Sequence, residues 1–295
     1  MIKGSRIYSS VEISIWAEIF LPLENLLITI EVMGTAQTMQ KLELNKDSSI
    51  KYVIAVMSGK GGVGKSSVSG LLAASLQKKG FKVGVLDADI TGPSIPKIFG
   101  VTENLLSVGG KVYPAETDLG VKVVSVNLIL ESEDDPVIWR APLLNSTISQ
   151  FWTDITWGEL DYLIVDLPPG TADVSLTVLG MLPVTGVVMV SSPQELAQMV
   201  VRKALKMAAK MSVPLLGLVE NMSYAICPHC GEKHEIFGPS KGRQLAEMFD
   251  IRFLGSLPLD PKLTELADQG RIESYTLPND LDLATLVDRA VRTLA

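Results

Sequence analysis

The chain has 295 residues, 47% of them hydrophobic and 20% charged, with a formal net charge of −7. That composition excludes a disordered polypeptide and leaves ample material for the core of one large or two ordinary domains. The acidic balance supplies no basic field for nucleic acid or anionic lipid, so neither nucleic acid nor membrane is expected as a partner; two cysteines cannot form a disulfide framework and fit a reducing, cytoplasmic setting.

Residues 1–38 are apolar, but Glu12, Glu18, Glu24 and Glu31 interrupt every window, so the run of about 18 uncharged residues that a transmembrane helix requires never occurs. A signal peptide fits poorly because its apolar region would carry acids. The stretch reads as an N-terminal extension: either a start assigned too early, with Met33 or Met39 the true one, or a hairpin or helix packed on the domain. Residues 39–295 read as a single domain.

From Ile50 onward, β-branched runs alternate with helical patterns. Tyr52–Met57, Lys82–Asp89, Val121–Asn127, Asp161–Pro168, Gly186–Ser192, Leu215–Asn221 and Phe253–Pro258 are predicted strands, and their unbroken hydrophobicity is that of strands buried on both faces. The implied fold is α/β, doubly wound around a mostly parallel sheet.

The first strand runs into SGKGGVGKSS, Ser58–Ser67, ahead of a helical run from Ser67 to Lys79. Gly59, Gly64, Lys65 and Ser66 satisfy G-x-x-x-x-G-K-[ST], and the strand–loop–helix context is what a phosphate-binding loop requires. Gly59, Gly61, Gly62 and Gly64 let backbone N–H groups close around phosphate oxygens, with Val63 and Ser67 completing the loop and the helix pointing its positive end there. Lys65 is placed to reach the β and γ phosphates of ATP, and Ser66 to ligate Mg2+. The loop alone gives Lys60 no role.

Ligands of open parallel sheets sit at the C-terminal strand edge. VLDADITGPS puts Asp87 and Asp89 there, and DYLIVDLPPGTAD puts Asp166 there. Asp166 follows four apolar residues and is the expected Mg2+-holding acid, with Asp87 assisting; Asp89 is placed either to orient the attacking water or merely to cap a turn. Gly170 would let a backbone segment approach the γ phosphate, and Asp173 caps the next helix. Further along, Ser192 as N-cap, Pro193 at the first helical position and Glu195 form a capping box.

Cys227 and Cys230 lie in AICPHCGEKHEIFG, a loop stiffened by Pro228. Four-thiolate ligation of zinc or of a cubane cluster needs twice what one chain offers, and a two-fold dimer supplies two from each side. Two alternatives stay open: zinc within one chain, held by Cys227, Cys230 and His234 with His229 or water fourth, and a redox pair, for which the surrounding βαβ context is missing. The final segment, Asp282–Ala295, sets Leu283, Leu286, Val287, Ala290, Val291 and Leu294 on one helical face, the pattern of a core-packing helix.

GKGGVGKSS, DADITGPSIPK, WGELDYLIVDLPPGTAD, VENMS and CPHCG, in this order, resemble the Mrp/Nbp35 family of iron-sulfur cluster carrier ATPases, within the deviant Walker A class that includes MinD, ParA and the nitrogenase iron protein. The resemblance spans Lys51–Ala295 and implies a P-loop NTPase fold. It further implies that Lys60 crosses a homodimer interface to the phosphates of ATP in the partner, where a second cation would favour phosphoryl transfer. It makes Asn221 the reader of adenine and Cys227 and Cys230 ligands of a bridging, transferable [4Fe-4S] cluster delivered to apo iron-sulfur proteins, with zinc able to take its place. The implied activity is slow ATP hydrolysis coupled to transfer. Ala172 departs from the family's PPGTGD switch, and no N-terminal four-cysteine motif is visible. The rival readings are a MinD/ParA-like positioning switch with a structural zinc site and a metabolic P-loop enzyme, for which no substrate motif is apparent.

Overall fold

The structure, a computed structural model, describes residues 41–129, 141–170, 173–194, 196–278 and 281–294. The expected extension at 1–38, together with Ala172 and Glu195, lies outside the described residues. The described strands are β1 (Ser49–Ser58), β2 (Val83–Asp87), β3 (Leu106–Val108), β4 (Lys111–Tyr113), β5 (Ala115–Glu116), β6 (Lys122–Val124), β7 (Glu159–Asp166), β8 (Gly186–Ser191), β9 (Leu215–Ile226), β10 (Lys233–His234) and β11 (Phe253–Pro258). The helices are α1 (Lys65–Lys78), α2 (Ile95–Phe99), α3 (Ala141–Thr153), α4 (Asp173–Met181), α5 (Leu196–Lys210), α6 (Gly242–Met248), α7 (Pro261–Asp268) and α8 (Leu283–Arg292).

Nine strands form one sheet in the order β10-β9-β8-β1-β7-β2-β6-β5, with β11 also paired to β9. From β9 through β6 every pairing is parallel, as is β11 on β9; β10 and β5 are antiparallel additions. The alternation of side chains along each strand feeds two cores. In β1, Ile54 and Val56 pack with Leu71 and Leu72 of α1 and Val287 of α8, while Val53, Ala55 and Met57 pack with Ile148 and Phe151 of α3 and Val178 of α4. Burial on both faces explains why these strands read as apolar runs without alternation.

All seven expected strands form, Phe253–Pro258 with the expected bounds and the other six with altered ends. The Val121–Asn127 run is a strand only over Lys122–Val124 and then turns into a 3-10 helix, Val126–Leu128. β9 continues five residues past Asn221 to Ile226 because Lys233 and His234 fold back to pair with it. The helix expected to start at Pro193 starts at Leu196; Pro193 and Gln194 lie in the bend before it. α8 is capped by Asp282, whose carboxylate accepts from the Thr285 amide, and it ends at Arg292, which leaves Leu294 exposed instead of on the core face. Among the described residues no helix is long and apolar enough to cross a membrane.

Candidate functional site

β1 delivers the glycine-rich loop to the C-terminal edge of the sheet. Gly62 and Gly64 both take φ +78°, a left-handed conformation that glycine adopts without penalty, and Gly64 is the N-cap of α1. Gly170, at φ +82°, donates its amide to the Ser58 carbonyl at 2.9 Å, which stitches the segment after β7 to the start of the loop.

The carboxylates stand on adjacent parallel strands, with Asp87 of β2 in register with Asp166 of β7. Both are fully buried. The Lys65 ammonium lies 2.7 Å from Asp166, the Ser66 hydroxyl donates to the same oxygen at 2.6 Å, and Ser69 donates to the other at 2.6 Å. Ser66 and Asp166 thus place hard oxygen donors side by side, a set that fits Mg2+. Asp87 faces the loop that follows it: one oxygen accepts from the Ser94 and Ile95 amides at 3.0 and 3.1 Å and from Ser125 at 3.3 Å. Burial, followed by the nearby Asp166 charge, pushes the Asp87 carboxyl up to about 7. Asp89 accepts from Thr91 at 3.1 Å, and burial raises its carboxyl while Lys65 opposes the rise.

Lys60 does not join Lys65. Its ammonium is turned outward and donates to the Gln194 carboxamide oxygen at 2.9 Å. The glycine loop therefore contains one cation that engages the buried acids and one that leaves its own phosphate cradle.

Asn221 closes the opposite wall. Its side-chain amide donates to the Val63 carbonyl at 2.9 Å, and a Cβ at Gly64 would sit 2.2 Å from that same nitrogen. A cavity of about 240 Å3 opens here, lined by Gly64, Ser67, Asn221, Met222, Pro258 and Asp260 among others. It adjoins the glycine loop at Gly64 and Ser67.

The strand that carries Asn221 leads directly into the turn that carries the cysteines. Met222 is left-handed at φ +56°, and four residues beyond it β9 ends at Ile226, next to Cys227. The Cys227 amide donates to the Glu232 carbonyl and the Gly231 amide to the Cys227 carbonyl, both at 2.9 Å, closing a tight hairpin. Backbone amides of Cys230 and His229, then the Cys230 thiol, hold the Cys227 thiol below its ordinary value. The thiols of Cys227 and Cys230 and a ring nitrogen of His234 lie within 4.8 Å of one another. His229 is exposed in the turn between the cysteines. Glu220, fully buried beside Asn221, accepts from Ser223 at 2.7 Å, from the Lys241 amide at 2.9 Å and from Ser240, and so fastens β9 to the far end of the cysteine excursion.

The sequence reading missed Ser69, Glu220 and Gln194. Ser69 stands three residues after Ser66, the spacing that returns a helical side chain to the same face. Glu220 was detectable as an acid inside the apolar run LLGLVEN. Gln194 carried no signal, because it was read as part of a helix.

A family model described as the NUBPL iron-transfer P-loop NTPase matches residues 49–294. An iron-sulfur cluster carrier protein of Clostridium perfringens is 47% identical over 241 residues, covering 79% of this chain and 84% of that protein. One from Saccharolobus solfataricus is 40% identical over 264 residues, covering 87% and 89%. Among solved structures, a nucleotide-binding protein of Archaeoglobus fulgidus in complex with ADP, with cobalt found in it, superposes with a TM-score of 0.69 at 45% identity, covering 77% of this chain and 89% of that one.

Proposed function

The chain belongs to the NUBPL iron-transfer family of P-loop NTPases, and from that premise we propose that it is an ATP-hydrolysing carrier that holds a labile [4Fe-4S] cluster between two copies of itself and passes it to apoproteins. One observation carries the proposal: strand β9 presents Asn221 to the glycine loop and leads, six residues later, into the turn that holds Cys227. A nucleotide site on this strand and a thiol site in the turn that continues it make a carrier whose cargo loop answers to nucleotide.

In this reading residues 39–295 act as the ATPase domain in the cytoplasm, and residues 1–38 are an extension of it. Gly59 through Ser67 cradle the ATP phosphates. Lys65 exchanges its Asp166 contact for the β and γ phosphates, while Asn221 orients the base in the adjoining cavity. Mg2+, when bound, neutralises charge on the phosphate oxygens, and Ser66 and Asp166 are the residues that would hold it, with Asp87 fixing the loop behind them. Asp89 positions the water that attacks the γ phosphate. Lys60, already outside its own cradle, reaches the phosphates of the partner subunit, so hydrolysis requires two chains.

The cargo is held by Cys227 and Cys230 of each chain, four thiolates in total. Ile226, Ile236 and Phe237 are exposed around the hairpin, an apolar rim that a second copy would cover. A positioning switch would have no use for the converged thiols. The test is transfer: anaerobically loaded protein is mixed with an apo-enzyme that needs a [4Fe-4S] cluster, and the acceptor's activity is followed with and without ATP. Recovery that outpaces free iron and sulfide, and that responds to ATP, supports the reading. Recovery no faster than with free iron and sulfide contradicts it.

A further inference from the structure

We propose that the cleft along the free edge of β11, between α6 and α8, docks an extended acidic segment of a partner protein, which pairs with the strand and sets its carboxylates on Arg243 and Arg289. This surface is separate from the glycine loop and from the cysteine hairpin, since none of its lining residues belongs to either.

β11 pairs with β9 alone, so among the described residues its other edge offers backbone amides and carbonyls with no strand beside them. The helices that flank this edge belong to opposite faces of the sheet. α6 buries Leu245 and Ala246 in the core that holds Met57, whereas α8 buries Val287, Ala290 and Val291 in the core that holds Val56. Between them lies a cleft of about 650 Å3, lined by Arg243 of α6, by Phe253 and Ser256 of β11, and by Leu281, Leu286 and Arg289 of α8 and its approach. Gly255 lets that approach close against the strand, because a Cβ there would sit 2.6 Å from the Leu281 side chain.

The positive charge in the cleft is unmatched. The Arg243 guanidinium lies 5.3 Å from the Phe253 ring centroid, which holds it over the strand. Arg289 stands one turn beyond Thr285 and Leu286 on α8. Both arginines are exposed, and among the described residues neither has a carboxylate within ion-pair distance. The neighbouring acids are already engaged: Asp282 holds Lys79 at 2.7 Å, and Asp288 holds Arg292 at 2.8 Å. On a chain with 33 acidic residues against 26 basic ones, such a cleft selects for negative charge. A free phosphate would meet the arginines but leave the strand edge and the apolar wall of Leu281 and Leu286 uncovered. An extended peptide engages all three. Its successive side chains point to opposite faces, so two neighbouring acids meet the two arginines, one from each side of the sheet. A second copy fits less well, because pairing two β11 edges sets arginines against arginines, and the two register shifts along the strand interrupt a long ladder.

The test uses the full-length protein and a short fluorescein-labelled peptide of valine and threonine with two adjacent glutamates at its centre, followed by fluorescence anisotropy. Saturable binding that weakens as salt screens the charges is expected. Arg243→Glu and Arg289→Glu each exchange a charged hydrogen bond for a repulsion and should weaken binding by at least about tenfold. The same peptide with lysines in place of the glutamates should ignore the unaltered chain and bind the double variant, a reversal that a merely structural role for the arginines would not produce. A peptide with prolines flanking the glutamates lacks ladder amides and should not bind, which tests the strand edge on the unaltered chain. Unchanged ATP binding in both arginine variants shows that they fold. No saturable binding, binding indifferent to both arginine changes, or equal binding of the proline peptide would overturn the proposal. Self-association of the unaltered chain that disappears in the arginine variants, without any binding of peptide, would overturn it in favour of a second copy in the cleft.

Discussion

Lys65 and Asp166 form an ion pair at 2.7 Å with both side chains almost wholly removed from solvent, and both hydroxyls that flank the pair, from Ser66 and Ser69, point at the same carboxylate. The site is thus closed on itself, with the lysine proposed to bind phosphate held on the acid proposed to hold the metal.

That arrangement makes Lys65→Ala a stability variant as well as a binding variant. Removing one partner of a buried pair leaves a charge without compensation and costs about 3 to 5 kcal/mol. Denaturant unfolding should show a loss of that order, partly recovered by adding Asp166→Asn, while calorimetry finds no tight ATP binding in Lys65→Ala. Normal ATP affinity would contradict the loop assignment.

Lys60 should behave differently. Because it contacts Gln194 and not the buried acids, Lys60→Ala should fold and bind ATP normally, yet lose hydrolysis by a factor of about 10^3 or more, the range for a cation supplied to the transferring phosphoryl group. Mixed with Lys65→Ala chains, it should regain activity as heterodimers form with one intact composite site. Activity that never recovers at any mixing ratio would contradict a role across the interface.

Gly64 is under two constraints at once, a left-handed φ and the Asn221 amide against its α-carbon. Gly64→Ala should destabilise the chain by at least about 1 to 2 kcal/mol from the backbone term alone, and Asn221→Ala introduced beside it should recover only the steric part. Thermal melts of the two single variants and the double variant measure that coupling.

The pH dependence has a definite sign. Folded Asp87 keeps its proton up to about pH 7, whereas an unfolded aspartate releases it near pH 4, as the reference value of about 3.9 requires. Between those limits the folded chain binds more protons, so this group's contribution is complete below about pH 4 and is lost as pH rises through about 7. Melting temperatures of nucleotide-free protein should show a fall over that range that is shallower in Asp87→Asn. An identical slope in both proteins would remove Asp87 as its source.

Much of this was legible in the residues because the constraints are local. A glycine loop between a buried strand and a helix announces itself, as do acids at strand ends, and the seven apolar runs became seven strands. What escaped depended on contacts far apart in the chain. Ser69 reads as one more small helical residue until β7 brings Asp166 against it, and Gln194 was assigned to a helix whose first turn does not form there. β9 outran its predicted end because pairing with Lys233 and His234, not strand propensity, extends it to Ile226. The same pairing sets His234 beside the thiols, a juxtaposition the spacing of AICPHCGEKH allowed but could not choose over a bridging arrangement.

The central claim is a cluster shared by two chains. Its most direct test is anaerobic reconstitution followed by sizing, with iron and sulfide counted in each fraction. A dimer fraction holding about four irons and four sulfides per two chains, absent when either Cys227→Ser or Cys230→Ser is used, is the predicted result. Cluster iron and sulfide eluting with a strictly monomeric chain would contradict it.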